Sequence, residues 1–251
     1  MITGASGGLG LEFSKILARK HYDLVLAARS EDKLNDLKDW LEDQYDIRVF
    51  VCPVDLSVKD AALTVFNFTQ EQGLSIDVLI NNAGFGDAGS FAESDWRKQY
   101  EMVKVNIVAL MQLTHCFLKP MIAQGHGKIL NLSSVAAFSA GPDMSIYYAS
   151  KAFVRSFSEA VVEEVKGTGV TVTAVCPGPT ATGFEKAASM KVGSSMFRKA
   201  AAASDVAEDG IRAMEKGRVL HYQGAFTKLM NVGSRIAPRA ITRKFAGKMN
   251  H

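Results

Sequence analysis

The sequence predicts an α/β fold in which a doubly wound parallel sheet carries helices on both faces. Short apolar runs, typical of buried parallel strands, alternate with amphipathic segments of helical period over most of the 251 residues. Glycine-rich and polar segments follow directly after several of these runs, and in open α/β sheets the ligand crevice lies at those strand ends. The length fits one large domain with a substantial core.

The composition is that of a globular protein, and no export signal is expected. No apolar run approaches the roughly 20 residues of a membrane span, and no basic segment followed by an apolar one stands at the start. The three cysteines are scattered and lack metal-ligand spacing. We therefore expect free thiols, a cytoplasmic location, no transmembrane segment and no metal site.

A glycine-rich segment with the spacing Gly-x-x-x-Gly-x-Gly opens the chain before a helical run. Glycine lets the backbone turn tightly and approach a ligand, and the following helix offers free N–H groups and its positive dipole end. This segment is therefore expected to cradle a pyrophosphate, although a merely flexible segment is the alternative. The predicted cofactor contacts are Gly4, Ser6, Gly8, Leu9 and Gly10.

The next element, Tyr22–Ala28, is predicted to be a buried parallel strand. Folds that select NAD place an acidic residue at the end of this strand to bind the ribose 2′-hydroxyl. Arg29 and Ser30 follow Ala28 instead, so a guanidinium and a hydroxyl are available for a 2′-phosphate. The prediction is NADP(H), with NAD(H) less favoured; a solvated loop arginine is the alternative.

Helices and strands then alternate. Glu31–Tyr45 is predicted to be an amphipathic helix because its leucines recur at helical spacing. Ser57–Gln72 is a second predicted helix, with Ser57 as its N-cap, and Ser94–Gln124 is a long one. The other predicted elements are strands Ile47–Cys52, Asp77–Ile80, Lys128–Leu132, Val170–Val175 and Arg218–Tyr222, and helices that begin at Tyr147, near Phe226 and beyond Pro238.

Tyr147 and Lys151 lie four residues apart at the start of a predicted helix, so their side chains share one helix face. An unperturbed phenol titrates near pH ~10, and a nearby cation favours its ionised form. Such a tyrosine can give a proton to a carbonyl oxygen, or take one from an alcohol, near neutral pH. An ordinary helix face is the alternative for this pair taken alone.

Further motifs occur with this pair in a fixed order: Thr3-Gly4…Gly8…Gly10, Asn81-Asn82-Ala83-Gly84, Asn106, Ser134, Tyr147 with Lys151, and Pro177-Gly178. With this set the chain resembles a short-chain dehydrogenase/reductase of the short form, which consists of one Rossmann domain. The resemblance covers residues 1 to about 184. It implies a nicotinamide cofactor and hydride transfer to or from a carbonyl carbon.

The resemblance also implies a role for each matching residue. Tyr147 would act as acid or base, and Lys151 would lower its pKa and bind the nicotinamide ribose. Ser134 would orient the substrate carbonyl, and Asn106 would hold a water in a proton relay. The remaining implied cofactor contacts are Asp55 and Leu56 beside the adenine, Asn82, Ala83 and Gly84 along the cofactor, Pro177 and Gly178, and Thr182 at the carboxamide end.

Two features depart from the family pattern. Only Met1 and Ile2 precede the Thr-Gly pair, where relatives have several apolar residues, and a shortened chain is therefore expected. Position 7 is glycine, where many NADP-dependent relatives carry Lys or Arg, so the NADP(H) prediction depends mainly on Arg29.

The leading prediction is an oxidoreductase that reduces a ketone or aldehyde, or oxidises the secondary alcohol. Within the family, residues 133–184 are most similar to bacterial oxidoreductases related to hydroxysteroid dehydrogenases and very-long-chain 3-oxoacyl-CoA reductases. A non-catalytic NADP-binding regulator or scaffold is the alternative, and it would predict damage to the Ser134, Tyr147 and Lys151 set. We expect a homodimer or homotetramer and no nucleic-acid partner.

The predicted domain spans residues 1–222, with a substrate-binding loop and helix at 183–205 and a basic helical extension at 223–251. Residues 186–251 hold 13 Lys and Arg against 4 Asp and Glu. Apolar residues spaced by four in the extension favour packing on its own domain over contact with a membrane surface. Its cations would hold an anionic acyl carrier if they lie at the pocket mouth; a neutral lipophilic ketone or steroid is the competing substrate. Residues expected to border an apolar substrate are Phe138, Phe184, Met190, Met196 and Phe197.

Overall fold

The computed structural model describes residues 1–190 and 200–250, so the predicted substrate contacts Met196 and Phe197 lie outside the described residues. Its strands are β1 (Ile2–Thr3), β2 (Leu24–Ala28), β3 (Val49–Pro53), β4 (Val78–Asn81), β5 (Gly127–Leu132), β6 (Val170–Cys176), β7 (Thr180–Ala181), β8 (Ala201–Ala202) and β9 (Leu220–Tyr222). Seven of them form one parallel sheet in the order β3-β2-β1-β4-β5-β6-β9, and β7 pairs with β8. A strand order that runs outward from β1 in both directions is doubly wound, which confirms the predicted fold class.

Helices cover both faces of this sheet. In chain order they are α1 (Gly8–Arg19), α2 (Glu31–Gln44), α3 (Ala61–Glu71), α4 (Trp96–Val103), α5 (Leu110–Gln124), α6 (Ser145–Glu164), α7 (Phe184–Ala187), α8 (Ala203–Glu215), α9 (Gly224–Ile236) and α10 (Arg239–Asn250). Buried side chains of α1, α2 and α8 form the core on one face, and those of α3, α5 and α6 form it on the other. Because both faces are covered, β2 is buried at every position and reads as one apolar run.

The helix predicted from Ser57 begins later than expected, at Ala61. The N–H of Ser57 donates to the Asp55 side chain at 2.9 Å, and the N–H of Val58 donates to the Asp55 carbonyl at 3.1 Å. The predicted N-cap at Ser57 is therefore wrong. The Asp55 carboxylate offers the backbone a local turn, and this competes with helix formation.

The long predicted helix Ser94–Gln124 begins at Trp96 and contains a π-helical turn, Lys104–Ala109, between α4 and α5. By length and composition alone the 29 residues from Trp96 to Gln124 would suffice to cross a membrane, since an 18-residue window within them has a mean hydropathy of 1.3. Leu113 and Phe117 are buried against the sheet, however, so one side of this segment belongs to the core of the domain.

Two buried asparagines link the central strands. Asn81 of β4 lies opposite Asn131 of β5, and its Nδ2 donates to Asn131 Oδ1 at 2.9 Å. Asn81 also donates to the Thr114 hydroxyl at 3.1 Å, and Asn131 donates to the Ser158 hydroxyl at 2.9 Å. The pair therefore ties β4 and β5 to helices α5 and α6 through polar groups that water does not reach.

Candidate active site

Two adjoining clefts of about 480 and 650 Å³ lie along the carboxyl ends of the strands. They share Gly4, Ser6 and Arg29 in their walls. Gly10 and Asn106 lie behind the walls rather than in them. The other predicted site residues line one or both clefts: Gly4, Ser6, Gly8, Leu9, Arg29, Ser30, Asp55, Leu56, Asn82, Ala83, Gly84, Ser134, Tyr147, Lys151, Pro177, Gly178 and Thr182.

The glycine-rich segment has the geometry of a phosphate cradle. Gly4 adopts a φ of +65°, in the region that favours glycine, and its carbonyl accepts a hydrogen bond from Asn82 Nδ2 at 3.2 Å. A Cβ added at Gly10 would lie 2.1 Å from the Gly4 carbonyl oxygen, so only glycine fits. No side chain caps the first turn of α1, which leaves its N–H groups for a ligand. These residues fit a dinucleotide pyrophosphate.

The far end of the second cleft carries the charges predicted to select the cofactor. Arg29 and Ser30 are exposed directly after β2, and the last residue of this strand, Ala28, carries no carboxylate. Burial raises the pKa of Asp55, but hydrogen bonds from Ser57 and the charges of Arg29 and Lys104 outweigh it and hold that pKa below its usual range.

Ser134 and Tyr147 meet at the other end of the first cleft. Burial raises the pKa of Tyr147 to about 12, and a hydrogen bond with Ser134 opposes that rise. Burial dominates this pKa, and the smaller, opposite effect expected of Lys151 stays a prediction. Its Nζ lies 5.7 Å from the centre of the Tyr147 ring, and desolvation of the phenolate outweighs any attraction at this separation.

Lys151 is buried and its ammonium donates to the Leu132 carbonyl at 2.9 Å. Burial lowers the pKa of Lys151 to about 8, while the neighbouring Cys176 has a smaller opposite effect. The side chain faces the cleft wall at Gly84, where an added Cβ would lie 3.4 Å from Nζ. A lysine in this position is charged at neutral pH and loses its charge in mild base.

Asn106 fixes the loop that follows β4. Its Oδ1 accepts the N–H of Phe85 at 3.1 Å, and its Nδ2 donates to the Phe85 carbonyl at 2.9 Å and to the Ser150 hydroxyl at 3.1 Å. Both side-chain donors are therefore engaged with protein groups. These bonds give the Asn106 side chain a positioning role, and the predicted contact of Asn106 with a relay water stays a prediction. The π-helical turn around Asn106 gave no sequence signal.

The site can now be compared with known proteins. A profile of the short chain dehydrogenase family matches residues 1–214. The chain belongs to the short-chain dehydrogenases. It is therefore an NAD(P)-dependent oxidoreductase.

Individual relatives agree with this assignment. The chain is 33% identical over 182 residues to a 7beta-hydroxysteroid dehydrogenase of Collinsella aerofaciens, which covers 72% of this chain and 68% of that protein. It is 30% identical over 194 residues to a very-long-chain 3-oxoacyl-CoA reductase of Mus musculus, and the match covers 74% of this chain and 60% of that protein. Among solved structures, a short-chain dehydrogenase from Sphingobium yanoikuyae in complex with NADPH is 28% identical and superposes with a TM-score of 0.84. The match covers 93% of this chain and 92% of that chain. The predicted similarity to hydroxysteroid and 3-oxoacyl-CoA enzymes is confirmed.

In this short-chain dehydrogenase, apolar side chains surround the open side of Tyr147. The Phe184 ring lies 5.2 Å from the Tyr147 ring, and Met144 and Met190 line the same cleft. Phe138 does not line the cleft as predicted, because its ring packs 5.6 Å from Tyr222.

The C-terminal helix of this short-chain dehydrogenase also reaches the cleft. Asn250, on α10, lines it and accepts a hydrogen bond from the Tyr148 hydroxyl at 3.0 Å. The Asn250 amide donates to the Pro142 carbonyl at 2.7 Å, and Ala246 is buried beside them. Sequence reasoning missed Tyr148 and Asn250, because only the tertiary fold brings the two positions together.

A second contact missed from the sequence joins two walls of the site. Lys98 forms an ion pair with Asp87 and donates to the Ser189 hydroxyl at 3.2 Å. Gln99 donates to the other Asp87 oxygen at 2.9 Å. The loop after β4 is thereby tied to the segment that follows α7.

Proposed function

We propose that this protein is an NADPH-dependent reductase of apolar ketones or aldehydes, with Tyr147 as the proton donor. One observation carries the proposal: Ser134, Tyr147 and Lys151 converge at one end of a dinucleotide-sized crevice that has Arg29 at its other end. A binding protein without catalysis would have no need of that convergence.

The residues fit acid catalysis. NADPH, when bound, supplies a hydride to the carbonyl carbon. Tyr147, with a pKa of about 12, is protonated at neutral pH and can donate its proton to the carbonyl oxygen. The Ser134 hydroxyl orients that oxygen, and the Lys151 ammonium stabilises the negative charge left on Tyr147.

The choice of NADPH over NADH follows from the charges near β2. Arg29 and Ser30 can bind a 2′-phosphate by charge-assisted hydrogen bonds, and no carboxylate at Ala28 repels it. Lys33, which sequence reasoning did not include, lies in the first turn of α2 and lines the first cleft together with Arg29. A structural neighbour with 28% identity is described in complex with NADPH.

The substrate is proposed to be apolar. Phe184, Met144 and Met190 offer an adaptable hydrophobic wall beside Tyr147. The relatives are named for steroid and 3-oxoacyl-CoA substrates, so a steroid-like ketone and a 3-oxoacyl thioester are the two classes to test first.

We also propose a cytoplasmic homodimer or homotetramer. Cys52, Cys116 and Cys176 are free thiols, and burial raises the pKa of each, which suits a reducing compartment. Exposed apolar side chains along α4 and α5, among them Trp96 and Met111, offer a face for a second copy.

The test is NADPH oxidation against a panel of ketones, aldehydes and 3-oxoacyl-CoA esters. Tyr147→Phe should lower kcat about a hundredfold or more while leaving the Kd for NADPH within twofold of wild type. Tyr100→Phe, a half-exposed tyrosine outside both clefts, is the matched control and should behave as wild type. Wild-type kcat in Tyr147→Phe would refute the acid assignment. NADPH binding without turnover of any compound would favour a regulatory protein.

A further inference from the structure

Helix α9 turns its apolar side chains to solvent. Leu229, Val232 and Ile236 are 69%, 51% and 80% exposed. Their spacing of three and four residues places them in one stripe. Thr227, on the opposite side of the helix, is fully buried against the domain. A helix that packs only on its own domain buries its apolar side and exposes its polar one. An exposed apolar stripe therefore indicates an external partner.

Helix α10 continues the surface. It packs on the domain through the buried Ala246 and through Asn250, whereas Ile241 and Phe245 are 60% and 47% exposed. We call the solvent-facing side of these two helices the α9–α10 face. Its apolar members are Leu229, Val232, Ile236, Ile241 and Phe245.

The charged side chains of α9 and α10 are all cations. No Asp or Glu follows Glu215 in the sequence. Within the described residues, no salt bridge joins the cations of α9 and α10 to a carboxylate. These cations are Lys228, Arg235, Arg239, Arg243, Lys244 and Lys248.

We propose that the α9–α10 face docks on the surface of an anionic lipid bilayer. Aliphatic and aromatic side chains flanked by Lys and Arg are what an interfacial helix inserts at the headgroup boundary. A second copy is the less favourable occupant, because it would bring one carboxylate-free basic face against another, and like charges oppose association.

Docking would place the substrate cleft beside the bilayer. Asn250 belongs both to α10 and to the cleft wall, so the face and the cleft are joined through one helix. A lipophilic ketone dissolved in the membrane would then have a short path to Tyr147. This consequence for the substrate depends on the proposed function, whereas vesicle binding does not.

The experiment is flotation of the full-length protein with two kinds of vesicle, phosphatidylcholine alone and phosphatidylcholine with one third phosphatidylglycerol. Wild type should float with the anionic vesicles only, and high salt should release it. Leu229→Gln/Ile236→Gln should lower the partition coefficient about tenfold or more. Lys228→Gln/Arg235→Gln/Lys244→Gln should also lower it at least tenfold. The matched control is Leu63→Gln/Ile122→Gln, at side chains 43% and 40% exposed outside the face, and it should float as wild type.

Equal flotation with neutral and anionic vesicles, or none with either, would overturn the proposal. So would wild-type flotation of the Leu229→Gln/Ile236→Gln variant. Light scattering tests whether a second copy binds this face instead. If wild type has the mass of a dimer and the Leu229→Gln/Ile236→Gln variant that of a monomer, the face belongs to a second copy and the membrane proposal fails. Turnover of a water-soluble ketone should be unchanged in every variant of this face. If wild type floats but reduces nothing, docking stands and the proposed reductase fails.

Discussion

Replacing Asn106 by leucine tests whether this side chain positions the loop after β4, which lines both clefts. The change keeps a similar volume but removes the hydrogen bonds at 3.1, 2.9 and 3.1 Å that hold Phe85 and Ser150. At about 1 kcal/mol net for each bond, the free energy of unfolding should fall by about 3 kcal/mol. Urea unfolding followed by tryptophan fluorescence measures this loss. Asn35→Leu, at an exposed position on α2, is the control and should change the value by about 0.5 kcal/mol or less.

The kinetic consequence distinguishes positioning from water binding. Phe85 lines both clefts, so loosening its loop should raise KM for NADPH more than it lowers kcat. A side chain that held a relay water would instead lower kcat with little loss of stability. A stability loss below about 1 kcal/mol, together with an unchanged KM, would refute the positioning role.

Three further results are expected. The kcat/KM for reduction should be constant below pH 8 and fall above it. The reason is that Lys151, with a pKa of about 8, then loses the charge that stabilises the Tyr147 anion. A kcat/KM that stays flat to pH ~10 would show that Lys151 does not have this role. Arg29→Ala should cost about tenfold or more in kcat/KM for NADPH and little for NADH, and equal losses with both would disprove 2′-phosphate recognition. Asn250→Ala, which leaves the Tyr148 hydroxyl without its partner, should change KM for large ketones more than for small ones, and parallel changes would show that α10 does not border the substrate.

The fold was predictable because its strands carry an unambiguous pattern. Strands buried on both faces, such as β2, can only be apolar runs, and the polar residues that follow them mark one edge of the sheet. The first strand is short, at Ile2–Thr3, and the glycines after it were the stronger signal. The helix start at Ala61 was missed because a local turn at Asp55 competes with capping by Ser57.

The parts of the site that escaped prediction depend on tertiary packing. Spacing placed Lys151 near Tyr147, but the burial that raises the pKa of Tyr147 to about 12 depends on the surrounding side chains and leaves no local pattern. The contact between Tyr148 and Asn250 joins residues 102 positions apart and has no local pattern. An apolar period in α9 was visible in the sequence, but only the packing of Thr227 shows that the stripe faces outward.

The paired asparagines of β4 and β5 bear on how the chain folds. Asn81 Nδ2 lies opposite Asn131 Oδ1, to which it donates, only in the observed register. A slip by one residue would turn the slipped strand inside out, and a slip by two would break the hydrogen bond between the buried amides, at a cost of about 1–3 kcal/mol. Since a strand rises about 3.3 Å per residue, a slip by two would also carry Ser134 about 7 Å along the strand direction from the loop after β4. The hydrogen bond between the two amides therefore favours the register in which Ser134, after β5, and Gly84, after β4, line the same cleft.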